Sequence, residues 1–184
     1  MSSNKTSSET KILAEIAIFA SLSGVLYSIR PYSNPFGGSV TLGSMVPVMW
    51  LSLRRGVSVG FVCGAIFGSL ALIIDVLLLP YSPIVNPIQV VLEYPIAFGV
   101  LGLAGLFHKK TLAPILAGVG ISVFIKFLIH FFAGIIFWAS TIPQGWNLAV
   151  YSAVYNGSFL IPEFIISAVL VTILVKRRTL EYSL

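Results

Sequence analysis

One apolar stretch of the sequence carries polar and aromatic residues at a spacing that suits ligand binding. The stretch is KFLIHFFAGIIFW, and at every fourth position it holds Lys126, His130, Gly134 and Trp138. A helix turns by about 100° per residue, so steps of four drift by only about 40° and keep the residues on one winding face. An ammonium group, an imidazole, a gap at a glycine and an indole would form a wall for a flat polar molecule.

The composition of the chain indicates a membrane protein. Of the 184 residues, 57% are hydrophobic and 9% are charged, whereas a soluble domain carries about 25% charged residues. This polar surface is too small to cover a soluble particle, so the lipid bilayer must cover most of the outside. The net charge of +5 is concentrated in the connections between apolar runs, which is typical of a topology signal and excludes a nucleic-acid footprint.

Apolar runs of suitable length predict an all-α membrane protein, a bundle of six transmembrane helices. They lie at residues 11–30, 40–53, 57–79, 87–107, 112–140 and 149–175. The second run is short for a full span, which suggests a helix that is tilted or partly on the surface. We expect a disordered N-terminal tail at 1–10, one six-helix domain at 11–178 and a C-terminal tail at 179–184.

Basic residues indicate the orientation of the predicted bundle. With six crossings, nine of the eleven lysines and arginines fall on the side of the two termini, and Arg30 marks the other side. By the positive-inside rule, both termini are cytoplasmic. The opposite connections, at 30–38, 79–87 and 140–146, hold proline, glycine and aromatic residues that favour turns and the membrane interface.

The predicted topology brings polar residues of three helices to a similar depth. With a rise of about 1.5 Å per residue, Glu93 and Asn156 lie roughly 10 Å below the outer ends of their helices, and His130 lies roughly 15 Å down. This convergence predicts a site for a small planar heteroaromatic compound that is cationic or bears an amine. The alternative is a structural role, in which the histidine hydrogen-bonds within the bundle and Lys126 pairs with a carboxylate.

Four blocks of the sequence resemble one known family. The blocks are LRRG at 53–56, PIQVVLEYPIAFGVLGLAGLF at 87–107, KFLIHFFAGIIFW at 126–138 and YSAVYNGSFLIPEFIIS at 151–167. They are similar to the thiamine-specific substrate-binding subunits (S components, ThiT or YuaJ) of energy-coupling factor (ECF) transporters. The resemblance covers nearly the whole chain.

This resemblance implies a high-affinity thiamine site in the outer half of the plasma membrane. Its ligand-binding residues would be Glu93, Tyr94, Lys126, His130, Gly134, Trp138, Tyr151 and Asn156. Glu93 would bind the amine-bearing ring, and His130 and Trp138 would enclose an aromatic face. Members of the family also use an aromatic residue of the first outer loop, commonly a tryptophan, and here Tyr32 or Phe36 would take its place as a lid. No metal or cofactor is implied.

The same resemblance implies that the chain is not an enzyme and works with partner proteins. These would be a membrane-embedded scaffold subunit (EcfT) and two ATPases (EcfA and EcfA′), since this sequence contains no G-x-x-x-x-G-K-[ST] phosphate loop. A stripe of small residues on the first helix would contact the scaffold, because small side chains let helices approach closely. The stripe consists of Ala14, Ala17, Ala20, Ser21 and Gly24.

Other features leave more than one interpretation open. Gly60, Gly64 and Gly68 suit packing within the bundle, with docking as the alternative. Glu163 would pair with Lys126 or carry protons. Proton transfer would fit an alternative function, a stand-alone proton-coupled secondary transporter of thiamine or of a related vitamin or precursor. An intramembrane enzyme is disfavoured, because the spans hold one histidine and no H-E-x-x-H motif.

Overall fold

The computed structural model describes residues 2–35, 37–80, 83–107 and 111–177, and it contains the six predicted helices. They are α1 Ser2–Ser28, α2 Val46–Arg55, α3 Val57–Leu78, α4 Pro87–Leu106, α5 Leu112–Phe137 and α6 Leu148–Lys176. Between α1 and α2, a short antiparallel ladder pairs β1 (Tyr32–Ser33) with β2 (Ser39–Val40). Every helix except α2 is long and apolar enough to cross a membrane. The predicted all-α, six-helix membrane fold is therefore confirmed.

The first helix begins earlier than the sequence predicted. It starts at Ser2, whereas a disordered tail was expected at 1–10, and its apolar membrane-spanning part begins at Ser8. Adding a residue to an existing helix gains a hydrogen bond without a new nucleation step. The polar residues before Ser8 therefore extend a helix that the apolar part has already formed. The tail expected at 179–184 lies outside the described residues.

The second crossing is made by an extended segment together with a short helix. Helix α2 has ten residues, so it is about 15 Å long and spans only half of a hydrocarbon core of about 30 Å. The segment 37–45 precedes it and runs along α6. The Tyr155 hydroxyl donates to the Gly37 carbonyl at 3.0 Å, and Gly43 lies against the side chain of Leu170. The two contacts are fifteen positions apart on α6, so the segment descends along that helix before α2 begins.

Burial within the bundle makes this irregular crossing possible. Extended backbone at membrane depth is tolerated where protein covers it, because lipid offers no hydrogen-bond partners. The segment satisfies part of its own polarity, since the Thr41 hydroxyl donates to Ser44 Oγ at 2.8 Å and accepts from the Ser44 N–H at 3.1 Å. All residues of α2 from Val46 to Leu53 are buried. Of the two alternatives that the sequence left open for this short run, a helix partly on the surface disagrees with this burial.

The glycine stripe of α3 packs inside the bundle. A Cβ atom at Gly64 would collide with the Phe98 carbonyl, and one at Gly68 would collide with the Tyr94 carbonyl. These glycines let the backbones of α3 and α4 touch, which is the close approach that small residues permit between membrane helices. Internal packing, the interpretation that the sequence favoured, is confirmed.

An ion pair joins the end of α2 to the first half of α1. The Arg55 guanidinium, at the end of α2, forms two hydrogen bonds to the Glu15 carboxylate of α1, at 2.7 and 2.8 Å. The bond joins the second crossing to the first with paired planar geometry. Lys109, Lys110 and Arg178, which also indicated the orientation, lie outside the described residues.

We predict that Gly64→Ala destabilises the protein by about 1–3 kcal/mol, the usual cost of overpacking. The added methyl group would have to push α3 away from the backbone of α4. Thermal unfolding of the purified protein in detergent measures the effect as a lower Tm. Gly120→Ala is the matched control, because the nearest atom to its Cβ is 3.8 Å away on Phe164. Equal melting temperatures for the two variants would contradict the close contact.

Candidate functional site

All eight residues that the sequence predicted as ligand-binding line one cavity. Helix α4 contributes Glu93 and Tyr94; α5 and the residue after its end contribute Lys126, His130, Gly134 and Trp138; and α6 contributes Tyr151 and Asn156. The segment before α2 forms a further wall, with Gly37, Gly38, Ser39 and Thr41. The cavity therefore lies mainly between these three helices and the extended part of the second crossing, with Tyr27 of α1 and Asp75 of α3 also on its wall.

An irregular turn in α4 places two adjacent side chains on this cavity. Residues Leu92–Ile96 form a π-helical turn that contains Pro95, and the Ala97 N–H donates to the carbonyl of Leu92. Proline lacks an N–H and disfavours a regular α-helix, and single π turns are frequent at functional sites. In a regular helix, neighbouring side chains diverge by about 100°. Here Glu93 and Tyr94 both reach the cavity wall.

The Glu93 carboxylate is held by neutral donors. The Trp138 indole N–H donates to its two oxygens at 3.1 and 3.2 Å, and the Gln89 amide donates to Oε2. His130 Nδ1 lies 4.0 Å from Oε1, which makes an ion pair only when the imidazole is protonated. Within the described part of the chain, no lysine or arginine forms a salt bridge with this carboxylate. Among the described residues, the Glu93 oxygens thus have no partner that is permanently cationic.

Gln89 is a site residue that sequence reasoning missed. It is fully buried, and its amide nitrogen also donates to the Pro83 carbonyl at 3.2 Å. Its amide oxygen accepts from the Val85 N–H at 3.2 Å. Gln89 therefore ties the connection between α3 and α4 to Glu93. The one signal in the sequence is a polar residue one helical turn before Glu93.

Lys126 does not pair with Glu163 as one of the sequence interpretations expected. Its side chain is buried, and Nζ lies 3.1 Å from the centroid of the Phe98 ring. No acidic oxygen of the described residues lies within 4.0 Å of it. The face of an aromatic ring attracts a cation and offsets part of the cost of burial. No hydrogen bond or salt bridge joins Lys126 Nζ to another described residue, so its N–H donors remain open to the cavity.

Glu163 lines the cavity, although the sequence analysis left it outside the site. It is 3% exposed, and one carboxylate oxygen accepts from the backbone N–H of Thr41. Its other oxygen, Oε2, is buried and has no hydrogen-bond partner among the described residues. Helical periodicity could not reveal this contact, because it depends on the path of the extended segment.

Asp75 is a second acidic residue that the sequence analysis set aside, as lying near the end of a helix. It is buried, and it accepts hydrogen bonds from the Tyr27 and Tyr94 hydroxyls at 3.0 and 2.9 Å. The Arg30 guanidinium forms a salt bridge with it at 2.6 Å. This network joins α1, α3 and α4 and neutralises the Asp75 charge. The Tyr94 hydroxyl is thereby occupied, and its side chain is fixed in the cavity wall.

Gly134 and Asn156 bring α5 and α6 together. A Cβ atom at Gly134 would collide with Ser152 Oγ, so the space beside this glycine is filled by a side chain of α6. Ser152 Oγ donates to the Phe131 carbonyl at 2.8 Å. The Asn156 amide nitrogen donates to the carbonyls of Ser152 and His130, at 2.9 and 3.3 Å. These bonds set the distance between the two helices that carry most of the site.

The first connection contributes to the site differently from the prediction. Tyr32 is 52% exposed and does not line the cavity, because the β1–β2 ladder turns it outward and its hydroxyl donates to Asn34 at 2.7 Å. Phe36 lies outside the described residues. Gly38, with φ of +76°, lies against the ring of Phe159 and lines the cavity in their place.

The predicted stripe of small residues on α1 is divided between two faces. Ala14, Ala17 and Ser21 are exposed. Ala20 is buried, and a Cβ atom at Gly24 would lie 3.6 Å from Leu70 of α3. The last two pack within the bundle, so the outward surface of small residues is shorter than expected.

The sequence of this chain also matches a described family. A family model with the description "Thiamine transporter protein (Thia_YuaJ)" matches residues 13–182. The chain belongs to the thiamine transporter family. The resemblance seen in the sequence is thereby confirmed, and the role of the family is transport rather than catalysis.

Relatives of known name agree with this membership. The thiamine transporter ThiT of Lacticaseibacillus paracasei is 33% identical over 175 residues, which cover 89% of this chain and 86% of that protein. ThiT of Bacillus subtilis is 29% identical over 176 residues, 88% of each chain. The solved structure of ThiT from Listeria monocytogenes has a TM-score of 0.81 and 26% identity, covering 94% of this chain and 98% of that one.

We predict that Asp75→Ala destabilises this thiamine transporter family member by about 3–5 kcal/mol, the cost of leaving a buried charge unpaired. Arg30 would lose its counter-charge, and two tyrosine hydroxyls would lose their acceptor. Thermal unfolding without ligand measures the loss. Ser69→Ala is the control on the same helix, since its exposed hydroxyl bonds only to the Ala65 carbonyl of its own helix. A wild-type Tm for Asp75→Ala would refute the importance of this network.

Proposed function

We propose that this chain is the substrate-binding subunit of an ECF-type uptake transporter and binds thiamine with high affinity in the cavity. The main support is the convergence of the Glu93 carboxylate, the Lys126 amine and several aromatic rings from three helices on one cavity. Small-molecule sites have this character, a mostly apolar pocket with a few placed polar groups. Residues 11–178 form the binding domain in this proposal.

The chemistry of thiamine fits the groups that line the cavity. Thiamine carries a permanently positive thiazolium ring, an aminopyrimidine ring and a hydroxyethyl arm. The Glu93 carboxylate and the rings of His130 and Trp138 suit the thiazolium, because a cation is attracted both by a carboxylate and by aromatic faces. The family resemblance suggested instead that Glu93 holds the aminopyrimidine. Since Trp138 and Gln89 already donate to its oxygens, we assign Glu93 to the cation.

The proposed orientation puts both termini in the cytoplasm and the site in the outer half of the plasma membrane. It is supported by the nine basic residues on the side of the termini and by the positive-inside rule. The Arg55–Glu15 salt bridge lies at this end. Trp138 follows the C-terminal end of α5, on the side away from the termini in this orientation, which supports a site nearer to the outside.

The proposed partners are the scaffold subunit EcfT and, through it, the ATPases EcfA and EcfA′. The support on this chain is the exposed surface of Ala14, Ala17 and Ser21 on α1. Small side chains of this kind allow a neighbouring membrane helix to approach closely. The remaining outer faces of the spans are rich in exposed large apolar side chains, which suit contact with the lipid bilayer.

We predict that Glu93→Gln and Trp138→Ala each weaken thiamine binding at least about tenfold. The first removes the charge that faces the thiazolium, and the second removes an aromatic wall and a donor to Glu93; each contact is worth about 1–3 kcal/mol. Isothermal titration calorimetry of each purified variant with thiamine measures both changes in dissociation constant.

Tryptophan fluorescence provides the matched controls for this titration. Thiamine should quench the wild-type protein, and the quenching should disappear in Trp138→Phe. Trp146→Phe should keep both the quenching and the affinity, because Trp146 is 51% exposed and does not line the cavity, and phenylalanine retains an aromatic ring beside Tyr151, whose ring centroid lies 5.6 Å from that of Trp146. Wild-type affinity in both Glu93→Gln and Trp138→Ala would rule out the proposed site.

We predict that Ala17→Trp abolishes thiamine uptake through the ECF complex but leaves thiamine binding unchanged. A large side chain on the exposed face of α1 would separate it from the scaffold helix. Proteoliposomes with EcfT, EcfA and EcfA′ measure ATP-dependent uptake, and Val169→Trp, on an exposed position of α6, is the control. Concentrative uptake by the chain alone under a pH gradient would instead favour the proton-coupled secondary transporter.

A further inference from the structure

The acidic residues of the cavity differ in how far the protein satisfies them. Asp75 accepts from two tyrosines and Arg30, and Glu93 accepts from Trp138 and Gln89. Among the acidic residues of the described part that line the cavity, Glu163 is the one whose carboxylate has an oxygen with no donor. A buried acceptor without a donor costs free energy. A hydrogen-bond donor on a bound molecule would therefore stabilise Glu163 Oε2.

A donor group lines the cavity from the neighbouring helix. Lys126 of α5 is 3% exposed, as is Glu163 of α6, and both line the cavity. They form no salt bridge within 4.0 Å. The ammonium contacts the Phe98 ring, and an ammonium group has three N–H donors. The cavity wall thus carries an acceptor on α6 and a donor on α5, with no direct bond between them.

This pair of groups complements one particular arrangement of ligand atoms. An aromatic ring with an exocyclic amine beside a ring nitrogen offers a donor next to an acceptor. We propose that Glu163 and Lys126 recognise this edge of the aminopyrimidine ring of thiamine, with Glu163 Oε2 accepting from the exocyclic amine and Lys126 Nζ donating to the neighbouring ring nitrogen. The proposal rests on the proposed function and adds Glu163 to the site as its specificity-determining residue for the amine.

The two oxygens of Glu163 then have separate roles. Oε1 accepts from the Thr41 N–H and holds the extended segment against α6. Oε2 accepts the hydrogen bond from the exocyclic amine of the ligand. Glutamine at this position keeps an oxygen for Thr41 and presents an amide N–H₂ donor where Oε2 was an acceptor. Glu163→Gln therefore reverses the hydrogen-bonding character toward the ligand while it preserves the bond to the segment.

The test compares thiamine with an analogue in which a carbonyl oxygen replaces the exocyclic amine of the pyrimidine. A site built to bond one polar group rejects an analogue that leaves its buried groups unpaired. Wild-type protein should bind thiamine at least about tenfold more tightly than the carbonyl analogue. In Glu163→Gln this preference should shrink at least about tenfold, because the amide N–H₂ can donate to the carbonyl. Calorimetry of both ligands on both proteins gives the four dissociation constants.

Two controls separate recognition from a general loss of structure. A second analogue, in which a pyridinium ring replaces the thiazolium, retains the aminopyrimidine and should lose as much affinity as thiamine in Glu163→Gln. Ser167→Ala alters the neighbouring turn of α6, where another buried oxygen lacks a partner in the described part of the chain. Ser167 does not line the cavity, so this variant should keep the wild-type preference.

The outcomes distinguish the inference from the function on which it rests. An equal loss of affinity for thiamine and the carbonyl analogue in Glu163→Gln would show that Glu163 only holds the segment, and would overturn the inference while leaving thiamine binding intact. An unchanged preference with unchanged affinities would overturn it as well. Failure of the wild-type protein to bind thiamine at all would overturn the proposed function and the inference together.

Discussion

The structure depends on a single constraint, that no backbone polar group can remain unpaired inside a lipid bilayer. Five helices meet it with their own hydrogen bonds, but the second crossing begins as extended chain. That chain is viable because α6 covers it, and the bond from the Thr41 N–H to Glu163 is part of the cover. The same covering leaves backbone and side chains of the segment on one wall of the cavity. The extended segment, which must be covered by protein to cross the membrane, thus also forms part of the site.

Besides Glu163, the ionisable side chains that line the cavity are held by different kinds of partner. Asp75 and Arg30 neutralise one another in direct contact. Lys126 rests against an aromatic ring, and Glu93 is held by uncharged donors. Of these, only the Asp75–Arg30 pair is neutralised within the protein. We therefore interpret the Asp75 network as structural, and Lys126 and Glu93 as candidate binding groups. Isolated buried charges are expensive in a membrane, so their retention near one cavity is consistent with the transport role of the family.

The sequence was sufficient to predict the helices and eight residues that line the cavity, but not the irregular segments that complete the cavity wall. Hydrophobic run length is strong evidence for helices such as α3 and α5, and four-residue spacing identified Lys126 and His130, which the structure brings to one wall; their binding of thiamine stays a prediction. The period of a helix carries no information about segment 37–45. The contacts of Glu163 and the position of Tyr32 were therefore inaccessible, and the π turn at Leu92–Ile96 was invisible because local propensity does not specify it.

The extended wall of the cavity has a consequence for the biogenesis of the protein. A molecule that occupies the cavity would contact both the segment and α6, which line it, and so would favour the completed crossing over one in which the segment is not yet packed on α6. Selective occupancy of the native state stabilises it by about 4.1 kcal/mol when the ligand is a thousandfold above its Kd. A vitamin bound in this cavity would then stabilise the folded protein, and the steady-state abundance of the protein would rise with the supply of the vitamin.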